Sequence, residues 1–171
     1  MMGYTRNDGG RAAAGFKGTT GDCVVRAVAI AAELPYQEVY DILSAGMSTQ
    51  RSTKRGKARA SARNGVNVKR KWFKDYMAGL GFRWVPTMQI GSGCKVHLIA
   101  SELPPGRLIV SVSKHYTTMI DGIIHDNHDP RRDVHCSEPI REPMPEGYWS
   151  HDGKTMHHIE RRCVYGYWIK T

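Results

Sequence analysis

Three residues of this chain have the types and the order to carry nucleophilic chemistry: Cys23, His115 and Asp126. Cys23 follows the small, turn-forming run Thr19, Thr20, Gly21, Asp22 and precedes Val24, Val25, Ala27, Val28 and Ile30. That pattern predicts a loop ending at a helix N-terminus, with Thr20 or Asp22 able to cap it. A cysteine in the first helical turn meets unpaired backbone N–H groups and the positive end of the helix dipole. Both favour the thiolate, so the thiol pKa should drop below the free value of about 8.5. Such a nucleophile needs a base, and His115 at the head of a strand-like run can supply one. Asp126 would accept from the other ring nitrogen and fix the tautomer. The competing reading makes Cys23 a buried helix cysteine and His115 a surface or edge histidine.

The elements around these residues follow from pattern. The first helix is expected over 22–33. A second begins at Pro35, with Val39, Ile42 and Leu43 on one apolar face and Gly46 as its stop. A third spans 68–78 and carries Trp72, Phe73, Tyr76 and Met77. Residues 82–85 read as a short strand. Residues 96–103 are ambiguous between strand and short helix. The β-branched run 107–113 is the strongest strand signal. Residues 115–120 and 123–126 form two more strands, with Asp121 and Gly122 between them as a hairpin turn. Residues 1–18 read as an extended arm or loop, 127–160 as loop, and 162–169 as a closing strand. Helices first and an antiparallel sheet afterwards is the α+β order, within one domain over 1–171.

Register decides which acid can serve His115. Counting outward from a two-residue turn pairs Ile120 with Ile123, Met119 with Ile124, Thr118 with His125 and Thr117 with Asp126. Asp126 then lies diagonal to His115 on the same face, while His125 and Asn127 fall on the other. Asn127 and Asp121 are the alternative third members, Asp121 reading better as a turn residue. A one-residue bulge would promote Asn127 or His125.

Composition sets the frame. The chain has 171 residues, ordinary hydrophobic content and a net charge of +9. Its surface should therefore attract anions or acidic partners. From Ser48 to Val68 the charge is concentrated. Arg51, Lys54, Arg55, Lys57, Arg59 and Arg63 sit among Ser, Thr, Gly and Ala with no acid. The segment 48–67 reads as a mobile basic loop that contacts polyanions through phosphates, if it contacts them at all. No apolar run approaches a membrane span, and no apolar h-region follows Met1, so no secretory signal and no membrane are expected. Cys23, Cys94, Cys136 and Cys163 are scattered without a CxxC pair and are expected as reduced thiols in a cytosol. His125, His128, His135, Cys136, His151, His157, His158 and Cys163 include zinc-ligand types, yet no spacing forms a finger, so neither metal nor cofactor is called.

A helix-opening cysteine, a strand-opening histidine and a carboxylate on the next strand together resemble the papain-like cysteine peptidase superfamily. The compact spacing of His115 and Asp126 resembles most its C39-like and transglutaminase-like branches. Gly18–Ile30, Gly106–Asp129 and Arg162–Trp168 also resemble small uncharacterised proteins of tailed bacteriophages and prophages. The resemblance implies a papain-like α+β fold. It further implies a cysteine hydrolase, a peptidase or amidase, that acts on a phage or host protein or peptide through Cys23, His115 and Asp126. The location implied is a bacterial cytoplasm or a virion. One departure stands out: where such peptidases carry a glutamine six residues before the cysteine, this chain has Lys17. Lys17 is thus the oxyanion candidate, a mobile point charge in place of a fixed amide. The alternative function is a catalytically silent accessory protein of the same scaffold, binding a host protein or nucleic acid through the basic loop.

Overall fold

The computed structural model describes residues 3–49, 61–132 and 134–171. Its elements are β1 (Gly3–Arg6), α1 (Cys23–Ala32), α2 (Tyr36–Ser48), α3 (Lys71–Gly79), β2 (Phe82–Pro86), β3 (Arg107–Val112), β4 (His115–Ile120), β5 (Ile123–Asp126), β6 (Val134–Pro139), β7 (Trp149–Ser150), β8 (Thr155–Glu160) and β9 (Val164–Lys170). Six strands form one sheet in the order β1-β5-β4-β3-β9-β2, and β6-β8-β7 form a second. The fold is a mixed α+β one. None of the described helices is long and apolar enough to cross a membrane.

The large sheet has a core on each face. Val25, Val28, Val39, Leu43, Phe73 and Met77 from the three helices pack with Ile109 and Trp168 on one side. Leu98, Leu108, Val110, Met119, Ile124 and Val164 pack on the other. This alternation of Leu108, Ile109 and Val110 between the two cores is the period of two that a strand imposes. Helix α1 is buried from Val24 to Ala31, so its polar residue Arg26 needs an internal partner, which is Asp22. Thr118 Oγ1 donates to the Ala27 carbonyl at 2.9 Å and ties β4 to α1.

The expected hairpin has the expected register: Ile120 opposite Ile123, Met119 opposite Ile124, Thr118 opposite His125. Both turn residues take positive φ, Asp121 at 46° and Gly122 at 81°, as a two-residue turn matched to strand twist demands. Asp121 Oδ1 also accepts from the Gly106 amide at 2.8 Å, so Asp121 belongs to the turn.

Several expectations need correction. The N-terminal arm is partly a strand, because β1 pairs in parallel with β5 and places Arg6 against Asp126. Residues 127–160 contain the second sheet. Its strands are polar and lack alternation, and Met156 is fully buried while most of their other residues are not. Gly46 does not stop α2, which runs through it to Ser48. The glycine is there for space: a Cβ would lie 2.4 Å from the Trp72 ring. The cysteines are not all free, since Cys94 and Cys163 form a disulfide. The segment before β9 runs antiparallel to His97, with Leu98 N donating to Arg162 O and Val164 N to Val96 O, both at 2.8 Å. That pairing brings the two thiols together.

The basic loop is only partly visible. Arg51, Lys54, Arg55, Lys57 and Arg59 lie outside the described residues, whereas Arg63 is exposed on a 3-10 turn, Ala62–Asn64. The end of that segment packs instead of protruding. Ala62 is fully buried, its amide donates to Ser44 Oγ at 3.0 Å, and Ser61 pairs with the Tyr40 hydroxyl at 2.9 Å. Alanine is small enough to enter a core that larger apolar residues define, which composition does not reveal.

Gly46→Ala should destabilise the fold by about 1–3 kcal/mol despite its better helix propensity, because overpacking against Trp72 outweighs it. Gly79→Ala, with open space around it, should be neutral or slightly stabilising. Urea unfolding of both variants checks this; equal midpoints would contradict it.

Candidate active site

The site is assembled at one end of the large sheet. Cys23 is the first residue of α1 and half-buried, with Asp22 at the N-cap position. His115 opens β4 directly after the two-residue turn Ser113 and Lys114. Asp126 closes β5 and is 4% exposed. His115 Nε2 lies 2.7 Å from Asp126 Oδ2. Cys23 is close enough to the same imidazole for each group to shift the titration of the other. With Nε2 engaged by the carboxylate, Nδ1 is the nitrogen that serves the thiol. Asp126 follows the parity of Ile124, on the face away from the helices, while α1 packs on the face of Thr118. His115 sits at the strand end, where a ring can meet both.

Asp126 is held from three further sides. Its Oδ1 accepts from the Asn127 amide at 2.7 Å, and its carbonyl accepts from the Asn7 amide at 2.8 Å and the Tyr4 hydroxyl at 3.2 Å. Asn7 and Tyr4 belong to the segment of β1, so the strand missed in the sequence is a support of the site. Asn127 points its side chain to His128, with Oδ1 at 2.8 Å from Nδ1. His125 lies away from the site, beside a shallow cavity with Arg107 and Ile120.

The loop before Cys23 is fixed by a buried charge cluster. Asp22 is 1% exposed, and its side chain makes no cap hydrogen bond. It faces Arg11 Nε at 2.9 Å, Arg26 Nη1 at 3.3 Å and the Tyr36 hydroxyl. Arg11 also donates to the carbonyls of Phe16 at 3.3 Å and Lys17 at 3.1 Å. One guanidinium thus clamps the approach to the helix. The expected capping role of Asp22 gives way to this ion cluster, because a buried carboxylate is better satisfied by two cations than by one amide. The Lys17 side chain is exposed, and among the described residues only its carbonyl has a partner, Arg11. Sequence reasoning did not single out Arg11, Arg26, Tyr36 or Tyr116. The one available signal was an arginine inside an otherwise apolar helix, four residues after an aspartate.

The contacts shift three pKa values together. Burial pushes the Cys23 thiol up, but the His115 hydrogen bond, the Tyr116 backbone N–H and the charges of His115 and Arg26 bring it below its ordinary value. Burial works against a protonated His115, but Asp126 and Cys23 push it up to about 9. Burial also raises Asp126, but His115, the Thr117 hydroxyl and the Asn127 amide hold it below the usual carboxylate range. Between the lowered thiol pKa and about 9, Cys23 and His115 therefore form a thiolate–imidazolium pair. Below that window the thiol holds its proton; above it the imidazole gives its proton up.

Two cavities are lined by Tyr116 and by His115, neighbours on β4. An apolar one of about 490 Å³ is lined by Tyr116, Trp84, Trp168, Tyr165 and Ile90. A polar one of about 320 Å³ lies on the His115 side. Among the described residues, His115, Asp126 and His128 present three ligand atoms within 4.8 Å of one another, the one cluster that could hold a divalent cation. An ion there would take the imidazole nitrogen or carboxylate oxygen that the His115–Asp126 hydrogen bond uses. The histidines of the small sheet do not converge in this way. His135 and His157 stack at 5.1 Å, with Trp149 beside them. Comparison with protein families, with curated proteins and with solved structures finds no match to this chain.

Alkylation by iodoacetamide reports the ion pair, with Cys136, the other free thiol, changed to Ser. The rate should rise with pH through a midpoint below the free-thiol value of about 8.5. His115→Ala should move that midpoint up by about one unit or more, because the largest influence opposing burial is then gone. An unchanged midpoint would show that His115 does not hold the thiolate.

Proposed function

We propose that this chain is a papain-like cysteine hydrolase that cleaves a peptide or amide bond. The observation that carries the reading is a single imidazole joined to both Cys23 and a buried Asp126. In the proposed reaction the Cys23 thiolate attacks the carbonyl carbon. The His115 imidazolium gives its proton to the departing nitrogen, and the C–N bond breaks to leave a thioester. Neutral His115 then takes a proton from water, hydroxide adds to the thioester, and the Cys23 thiolate leaves as the C–S bond breaks, which restores the thiolate–imidazolium pair and releases the carboxyl product. Asp126 keeps Nε2 protonated and the ring aimed throughout. The oxyanion would be met by the Cys23 amide at the helix N-terminus. Lys17, exposed and bound only through its carbonyl, gives this role no described support.

The test is a peptide library incubated with the chain and read by mass spectrometry. Cleavage should require Cys23 and follow a bell in pH, its upper limb near 9 where His115 deprotonates. Asp126→Ala should lower kcat/KM by about 100-fold or more, and Asn127→Ala should change it little. Cleavage that persists in Cys23→Ala, or a library left intact at every pH from about 6 to 9, contradicts the proposal.

A further inference from the structure

The polar cavity beside His115 is lined by Ser113, Lys114, His115, His128, Arg132 and Arg162. It gathers the positive charges of Lys114, Arg132 and Arg162. Arg162 is half-buried, and its polar contacts are to uncharged acceptors: Nη1 to the Pro130 carbonyl at 2.8 Å and Nη2 to the Ser113 carbonyl at 2.5 Å. Its Nε is buried with no hydrogen-bond partner among the described residues. Burial and the charge of nearby, exposed Arg132 disfavour protonated Arg162, against the opposing influence of Tyr165 and Asp126. Lys114 sits on the tight turn at φ 56° and is exposed. The described acids nearby are committed: Asp126 to His115, and Asp129 to Arg131. Like charges held together cost stability, and a bound anion relieves that cost.

The position of the cavity gives the anion a role. In acyl transfer the imidazolium must reach the leaving nitrogen, so the leaving group extends past the imidazole. The cavity is lined by His115 itself. The guanidinium fork of Arg132, which lines the cavity, matches a carboxylate.

We propose that this cationic cavity binds a carboxylate on the leaving group, so that the substrate is a peptide or acyl-amino acid cut close to its C-terminal carboxylate. This rests on the cysteine-hydrolase reading of Cys23 and His115. The carboxylate would neutralise Arg132 and Lys114, the exposed cations of the lining. Arg162 itself also anchors the turn, which makes Lys114 and Arg132 the better positions to change.

The test uses two thiol reagents of one shape, N-iodoacetylglycine and N-iodoacetylglycinamide, which differ in the terminal charge. The protein carries Cys136→Ser. The ratio of their alkylation rates cancels differences in thiolate reactivity. In the otherwise unchanged protein at low salt the anionic reagent should react faster, by on the order of tenfold after correction for the rates with a free thiol. Lys114→Asn with Arg132→Gln should bring the ratio to near one; asparagine tolerates the positive φ. Arg141→Gln with Lys154→Gln, an equal loss of charge on the small sheet, should leave the preference in place. A corrected ratio near one in the unchanged protein, or an equal fall in both double variants, overturns the proposal while a fast neutral reagent keeps the hydrolase reading. A neutral reagent no faster than with His115→Ala overturns the hydrolase reading instead.

Discussion

Asp126 is a carboxylate with almost no exposure, and the structure at this end of the sheet is arranged to keep it charged. The imidazole of His115 at 2.7 Å does most of this, helped by the Asn127 amide. A buried charge without a partner would cost several kcal/mol, so neither His115 nor Asp126 is independent of the other. The same contact orients the ring towards Cys23. What satisfies the buried acid also fixes the imidazole.

A second buried carboxylate, Asp22, does the parallel task on the helix side. Arg11, Arg26 and Tyr36 surround it, and Arg11 also holds the carbonyls before the helix. Cys23 is its immediate neighbour, so the sulfur stands between two acid-centred networks. One fixes the N-terminus of α1. The other fixes the end of β4. The burial of α1 against the sheet, with Thr118 bonded to Ala27, sets the distance between them.

The placement of Cys23, His115 and Asp126 was legible because its signals are local. A turn-rich run into an apolar helix places Cys23, and two strands with an Asp-Gly turn place His115 against Asp126 by counting. Register from a two-residue turn admits few alternatives. What stayed hidden depends on distant pairing. The four residues of β1 carry no strand pattern of their own and are strand only because β5 offers an edge. The small sheet is held by polar ladders and stacked histidines around one buried Met156, which periodicity does not report. Gly46 looked like a helix stop because the Trp72 ring that needs its space lies 26 positions on in the sequence. Cys94 and Cys163 are 69 residues apart, and only the backbone pairing around His97 joins them.

The central claim is that Cys23 and His115 form an ion pair that Asp126 sustains. Nitrogen-15 NMR of the His115 ring reads this directly through the protonation of both nitrogens. The account predicts an imidazolium at neutral pH that titrates near 9 and falls markedly in Cys23→Ser, where the partner thiolate is gone. A ring that is neutral at pH 7 with Cys23 in place, or a titration untouched by Cys23→Ser, would contradict it.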